Sequence, residues 1–301
     1  MHLEHAYWIS LPSHSPGTQT TTMAVQIVSD LHLESPKAYD VFEIVPRAPI
    51  LALVGDIGNI ESHEADFTAF VERMLAQFQA VLFVPGNHEA YNSTWPRTLE
   101  ILRALEKDVV VRRAGGSASV GEFVLLERNS YRLPRCTGTI VLGCSLFSHI
   151  AAEHEMAVSM GMNDFYQIGD DWDVAAHNKA HARDLAWLND TVAALSSDDS
   201  SDIDNILIMT HWSPSTDSRA GDPRHAHSAI ACSFATDLSA EACFRASKVK
   251  AWCFGHTHYN CDFTVTRDGG LSPLRLVANQ RGYYFAQAAG YDNDKLLWAE
   301  D

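Results

Sequence analysis

A chain of 301 residues with 46% hydrophobic content can bury a sizeable core, and its formal charge of −16 repels polyanions, so duplex nucleic acid is not expected as a partner. No run is long and apolar enough to cross a bilayer. The six cysteines include no Cys-x-x-Cys pair, which argues against a disulfide framework and for reduced thiols in the cytoplasm.

Residues 1–22 hold His2, His5 and His14, two prolines and a threonine-rich run from Thr18 to Thr22. They lack the basic and apolar regions of a secretory signal and read as a mobile extension. Residues 23–301 read as a single domain. Its first apolar run, Val25 to Val28, leads into Asp30-Leu31-His32. A second, Ile50 to Val54, leads into Gly55-Asp56, and a third, Val81 to Val84, into Gly86-Asn87-His88-Glu89. Between them, Phe67, Phe70, Val71, Met74, Leu75 and Phe78 recur at helical spacing, which predicts an amphipathic helix over 62–79. Ser93 or Thr94 can cap a second helix, with Pro96 in its first turn, running to about Glu106. Residues 121–128 and 139–144 read as strands of a second sheet.

Residues 145–172 are irregular and rich in aromatic and amide groups, among them Phe147, Asn163, Asp164 and Trp172. Such loops line small-molecule pockets, so this stretch is expected to be a substrate-lining insertion. The helix at 174–195 carries the inward stripe Val174, Asn178, His181, Leu185, Leu188, Val192 and Leu195, with His177 beside it. His177, Asn178 and His181 are read as pointing to the rim of the site, or else as satisfied core groups. Ser196 to Asp202 is an acidic surface loop. Ile206 to Met209 then leads into Thr210-His211, and Val249 to Phe254 into Gly255-His256-Thr257-His258.

Short apolar runs ending in turn residues are buried strands, and sheet folds gather their ligands outside strand ends. Five strand ends that carry Asp, Asn and His, without a thiolate, supply the oxygen and nitrogen donors that suit Mn, Fe or Zn.

This ordered set resembles the calcineurin-like metallophosphoesterase superfamily, whose pattern is Asp-x-His, Gly-Asp, Gly-Asn-His-Asp/Glu, His and Gly-His-x-His. The resemblance covers about residues 24–285. It implies an α/β fold of two mixed β-sheets in a sandwich flanked by helices, and two divalent or trivalent metal ions. Carried over, Asp30, His32 and His258 would hold one ion, and Asn87, His211 and His256 the other. Asp56 would bridge them, and His88 would be the catalytic histidine. The implied reaction is in-line attack of a metal-bridging hydroxide on a small phosphodiester or phosphomonoester, with His88 protonating the leaving oxygen.

Ser/Thr protein phosphatases of the superfamily carry Gly-Asp-x-x-Asp-Arg-Gly. Here Asn59 replaces the second Asp and the Arg is missing, which speaks against that alternative; a non-catalytic scaffold, the other, would tolerate lost ligands. Asn59 is a candidate to orient His88. Arg281, in Asn279-Gln280-Arg281-Gly282-Tyr283, and Arg224 with His225, after His211, are candidates to hold phosphate oxygens. Asn163, Asp164, His177 and His181 complete the expected substrate-binding set.

Overall fold

The computed structural model describes residues 23–116, 120–134, 136, 138–197, 202–267 and 269–299. The extension expected at 1–22 and residues 198–201 of the acidic loop lie outside the described residues.

Two sheets form the body. The first takes β1 (Met23–Val28), β2 (Ile50–Val54), β3 (Ala80–Val84), β4 (Glu122–Leu125) and, antiparallel at its edge, the C-terminal strand Leu296–Ala299. Its four numbered strands are parallel. The second has the order β5 (Asn129–Arg132), β6 (Thr139–Cys144), β7 (Asn205–Thr210), β8 (Val249–Phe254), then β10 (Leu274–Ala278) and β9 (Cys261–Val265). Its four inner strands are parallel, and the two outer ones antiparallel.

Side-chain alternation explains the sandwich. Ile50, Ala52 and Val54 face the second sheet, where they meet Leu207, Met209 and Cys253. Leu51 and Leu53 face outward and pack beneath α1 (Glu64–Leu75) and α2 (Trp95–Ala114). On the far side, Leu142, Ile208 and Trp252 pack under Leu188 and Val192 of α5 (Val174–Ser197). Sheets buried on both faces need these continuous apolar strands.

Two expectations are corrected. The strand expected at 121–128 belongs to the first sheet, because α2 crosses back and delivers β4 parallel to β3, Ala80 opposite Glu122. Helix α2 also runs past Glu106 to Ala114: no Gly or Pro intervenes before the cap at Gly115. Its β-branched run, Val109 to Val111, lowers helix propensity without ending the helix. Of the two expected candidates, Thr94 is the N-cap, accepting from the Arg97 N–H at 3.2 Å.

The ends of β1 and β10 meet at one buried side chain. Asn279 donates to the carbonyls of Ile27 (2.6 Å) and Asp292 (2.8 Å) and accepts from the Asp292 N–H. Removing it takes a donor from the buried Ile27 carbonyl, so Asn279→Ala should lower unfolding free energy by about 1–3 kcal/mol, read by urea denaturation.

Candidate metal centre

The loops that leave β1, β2, β3, β7 and β8 converge on one spot. Asp30, His32, Asp56, Asn87, His88, His211 and His256 are all buried there, and His258 is half-buried. Their backbones record the crowding. Asp30, His32, Asp56, His256 and His258 all have positive φ, between 48° and 68°. Non-glycine residues rarely adopt this conformation and do so at a cost, of about 1–3 kcal/mol each, when the fold requires side chains to turn one way. Glycine serves where even that is not enough: a Cβ on Gly86 would collide with the Asp56 carboxylate.

Two groups of donors form within this spot. In one, His32 Nε2 lies 2.9 Å from His258 Nε2, and His258 Nε2 lies 3.3 Å from Asp30 Oδ1. In the other, His211 Nε2 lies 3.2 Å from Asn87 Oδ1 and 3.4 Å from Asp56 Oδ1, and His256 Nε2 is buried without a partner. Asp56 touches both groups, since its other oxygen faces His32 Nε2 at 4.0 Å.

The hydrogen-bond inventory tests whether cations fit. His211 Nδ1 donates to the Val54 carbonyl at 3.0 Å, so the neutral ring turns a lone pair toward Asn87 and Asp56. The Asn87 amide nitrogen donates to Asp164 Oδ1 (2.8 Å) and Tyr91 Oη (3.1 Å), which leaves its oxygen facing His211. Lone pairs therefore meet lone pairs, an arrangement that positive charge resolves. Without an ion, only protons can supply that charge. Burial opposes a charged His211, yet the Asp56 carboxylate beside it holds the imidazole up to about 10. The residues present fit a metal ion: Asp30, His32 and His258 form one group able to hold a cation, Asp56, His211 and His256 another, and His32, Glu34 and His88 a third beside them.

His88 stands beside both groups. Its backbone N–H donates to Asp56 Oδ1 (2.9 Å) and its ring stacks on Tyr91 at 4.2 Å. The supporting carboxylate that Asn59 was expected to replace comes from another position. Glu34 Oε1 lies 2.7 Å from His88 Nδ1 and 3.5 Å from His32 Nδ1. Burial opposes its charge, but the two rings bring the Glu34 carboxyl down to about 2. Asn59 instead donates to the main-chain carbonyl of His88 at 2.8 Å. Glu34 lies two residues after His32 in sequence, and that spacing was its one available signal.

The other expected substrate contacts divide. Asp164 is buried behind Asn87, accepting from its amide and from Tyr91 Oη (2.7 Å). It holds the Asn87 amide in place. Asn163 is exposed at the start of the short helix α4 (Asp164–Gln167); with α3 (Glu155–Gly161), that helix gives 145–172 more regular structure than expected. His177 and His181 are core groups. His177 Nε2 meets the N–H and hydroxyl of Ser148 at 3.2 and 3.1 Å, and His181 Nδ1 reaches the Leu146 carbonyl at 3.1 Å. Asn178, half-buried, pairs with both backbone groups of Ile150, at 2.8 and 2.9 Å. The polar stripe on α5 thus satisfies the 146–150 backbone, where Leu146 and Phe147 have positive φ. Asp184, which the expected stripe omits, belongs to it and accepts from the Leu146 N–H at 3.0 Å.

The expected arginines are engaged elsewhere. Arg281 donates to the Leu31 carbonyl (3.0 Å) and lies over the Phe42 ring. Arg224 is exposed and closes on Asp222, with His225 exposed beside it. Gln280, buried next to Arg281, is the working residue of that stretch: it accepts from the His258 N–H at 2.5 Å and donates to Thr257 Oγ1 at 2.9 Å.

The calcineurin-like phosphoesterase family model matches residues 23–260. The chain belongs to that family. It is a metal-dependent hydrolase of phosphate esters. An uncharacterized protein of Acanthamoeba polyphaga mimivirus is 26% identical over 295 residues, covering 91% of this chain and 98% of that one. Phosphopantetheinyl hydrolase from Mycobacterium tuberculosis superposes with a TM-score of 0.57 at 14% identity, over 88% of this chain and 91% of its own, a likeness of fold.

Two outcomes test the supporting groups. Asp164→Ala should weaken metal binding about 10–100-fold, read by calorimetric titration of the metal-free protein. At matched metal content, Glu34→Ala should slow hydrolysis of an alkyl ester more than that of a p-nitrophenyl ester, by up to about 10²-fold, because only the poor leaving group needs the proton.

Proposed function

We propose that the protein is a binuclear metallophosphoesterase acting on a small phosphodiester or phosphomonoester. The observation that carries this reading is Asp56, whose two carboxylate oxygens face separate histidine groups, Oδ1 toward His211 and Oδ2 toward His32. A carboxylate so placed is suited to bridging two ions. Two bound ions supply a nucleophilic water of lowered pKa and offset the charge on the phosphoryl oxygens.

The chain's own side chains supply the remaining chemistry. His88 holds a proton at Nε2 for the leaving oxygen, while Glu34 fixes Nδ1 and favours the imidazolium. Tyr91, stacked on the ring, limits its rotation. All eight residues of the pattern are present and gathered, which favours catalysis over a scaffold role. The missing Asp and Arg after Asp56 favour a small ester over a phosphoprotein, and the charge of −16 favours it over a polynucleotide. Six free cysteines support a reducing, cytoplasmic setting.

The test is hydrolysis of bis-p-nitrophenyl phosphate and p-nitrophenyl phosphate by protein stripped of metal and reloaded with Mn²⁺, beside elemental analysis. Turnover that requires two ions per chain and is lost in Asn87→Ala is expected. One ion per chain at full activity would overturn the binuclear reading.

A further inference from the structure

The last part of the chain places aromatic rings at the site that the metal and proton chemistry does not require. After Gln280, the Gly282 N–H donates to the Asp30 carbonyl at 3.0 Å, which roots a small hairpin on a ligand loop. Its two strands, Gly282–Tyr283 (β11) and Ala286–Gln287 (β12), are joined by Tyr284 and Phe285. Tyr283 lies against His32 and His258, with centroids at 4.2 and 4.8 Å, and its hydroxyl is 3.3 Å from His88 Nε2. Phe285 stacks on Tyr283 with the ring planes 7° apart and the centroids at 5.8 Å. Yet Phe285 is 79% exposed, the most of any large hydrophobic among the described residues, and Tyr284 is 61% exposed.

Two large aromatic side chains held in water on a hairpin of six residues contribute little to folding, and such exposure marks a contact surface. The leaving oxygen of a phosphate ester must come to His88 Nε2, beside the Tyr283 hydroxyl. Whatever that oxygen carries lies beside Tyr283, and Phe285 is the exposed ring stacked on Tyr283. A parallel stack of flat rings is best extended by another flat ring.

We propose that Tyr283 and Phe285 form a shelf for a planar aromatic group on the leaving alcohol, which makes the preferred substrate a phosphate ester of a nucleoside or a comparable aryl-bearing alcohol. The inference rests on His88 as the proton donor. Stacking of one base on a protein ring raises affinity about 5- to 100-fold. The strong negative charge of the chain selects a single nucleotide over a strand.

The test compares AMP with ribose phosphate bearing the same primary ester, using the full-length Mn²⁺-loaded protein, with octyl phosphate as the non-planar control. Affinity is measured by calorimetry and hydrolysis by phosphate release. At least a tenfold preference for AMP over ribose phosphate is expected. It should fall about tenfold in Phe285→Ala and return in Phe285→Trp. Equal affinities in the wild type, a preference untouched by Phe285→Ala, or an equal gain with octyl phosphate would each overturn the shelf. A base-dependent affinity lost in Phe285→Ala supports it even without turnover; failure to hydrolyse any ester, p-nitrophenyl phosphate included, would count against the catalytic reading instead.

Discussion

Four histidine rings, two aspartates and an asparagine amide face one another across a few ångströms. His211 spends its one N–H on Val54, and Asn87 spends both of its own on Asp164 and Tyr91. Between these two residues and Asp56, lone pairs and negative charge meet where the side chains are buried. Positive charge among these atoms is the condition for the arrangement, and the rest of the architecture serves it. The strands bring the loops to one point, and the positive φ values aim the side chains inward.

A second layer holds that arrangement in place. Glu89, fully buried, gathers the backbone N–H groups of Asp56, Ile57, Gly58 and Gly86, so one carboxylate ties the second ligand loop to the third. Burial and the Asp56 charge beside it push its carboxyl up to about 7. Gln280 pins the His258 loop, and Asn279 pins the end of β1. These amides and carboxylates fill hydrogen bonds that would otherwise go unmade in the interior, and they convert loops into rigid ligand holders. Aromatic rings close the remaining sides: Phe234 stacks on His256, Trp212 packs against His211 and His256, and Tyr283 lies against His32.

Histidine and asparagine facing inward on a helix admit two readings, and partners decide between them. On α5, His177, Asn178 and His181 meet the backbone of the 146–150 loop, and burial pushes His177 down to about 3, so it stays neutral. Asp164 shows the opposite case. Read from its irregular surroundings as a substrate contact, it lies one hydrogen bond behind Asn87. The segment around it serves as a brace on the metal centre at that point.

The sequence by itself determined the five strand ends and the order of their polar residues, and the family resemblance those residues carry implied the fold and the class of chemistry. Apolar β-branched runs and the turn residues after them are local signals, readable from neighbours in the chain. It also marked α1 and a helix cap at Ser93 or Thr94, which depend on spacing of a few residues. Only the tertiary structure decided that Glu34, and not Asn59, supports His88, that Asp164 braces Asn87, and that Arg281 is occupied by Leu31 and Phe42. It also decided that β4 joins the first sheet. Each of these pairings joins groups whose meeting depends on how loops and crossovers return in space. The direction of a side chain at a strand end is set by a backbone conformation that no local pattern encodes.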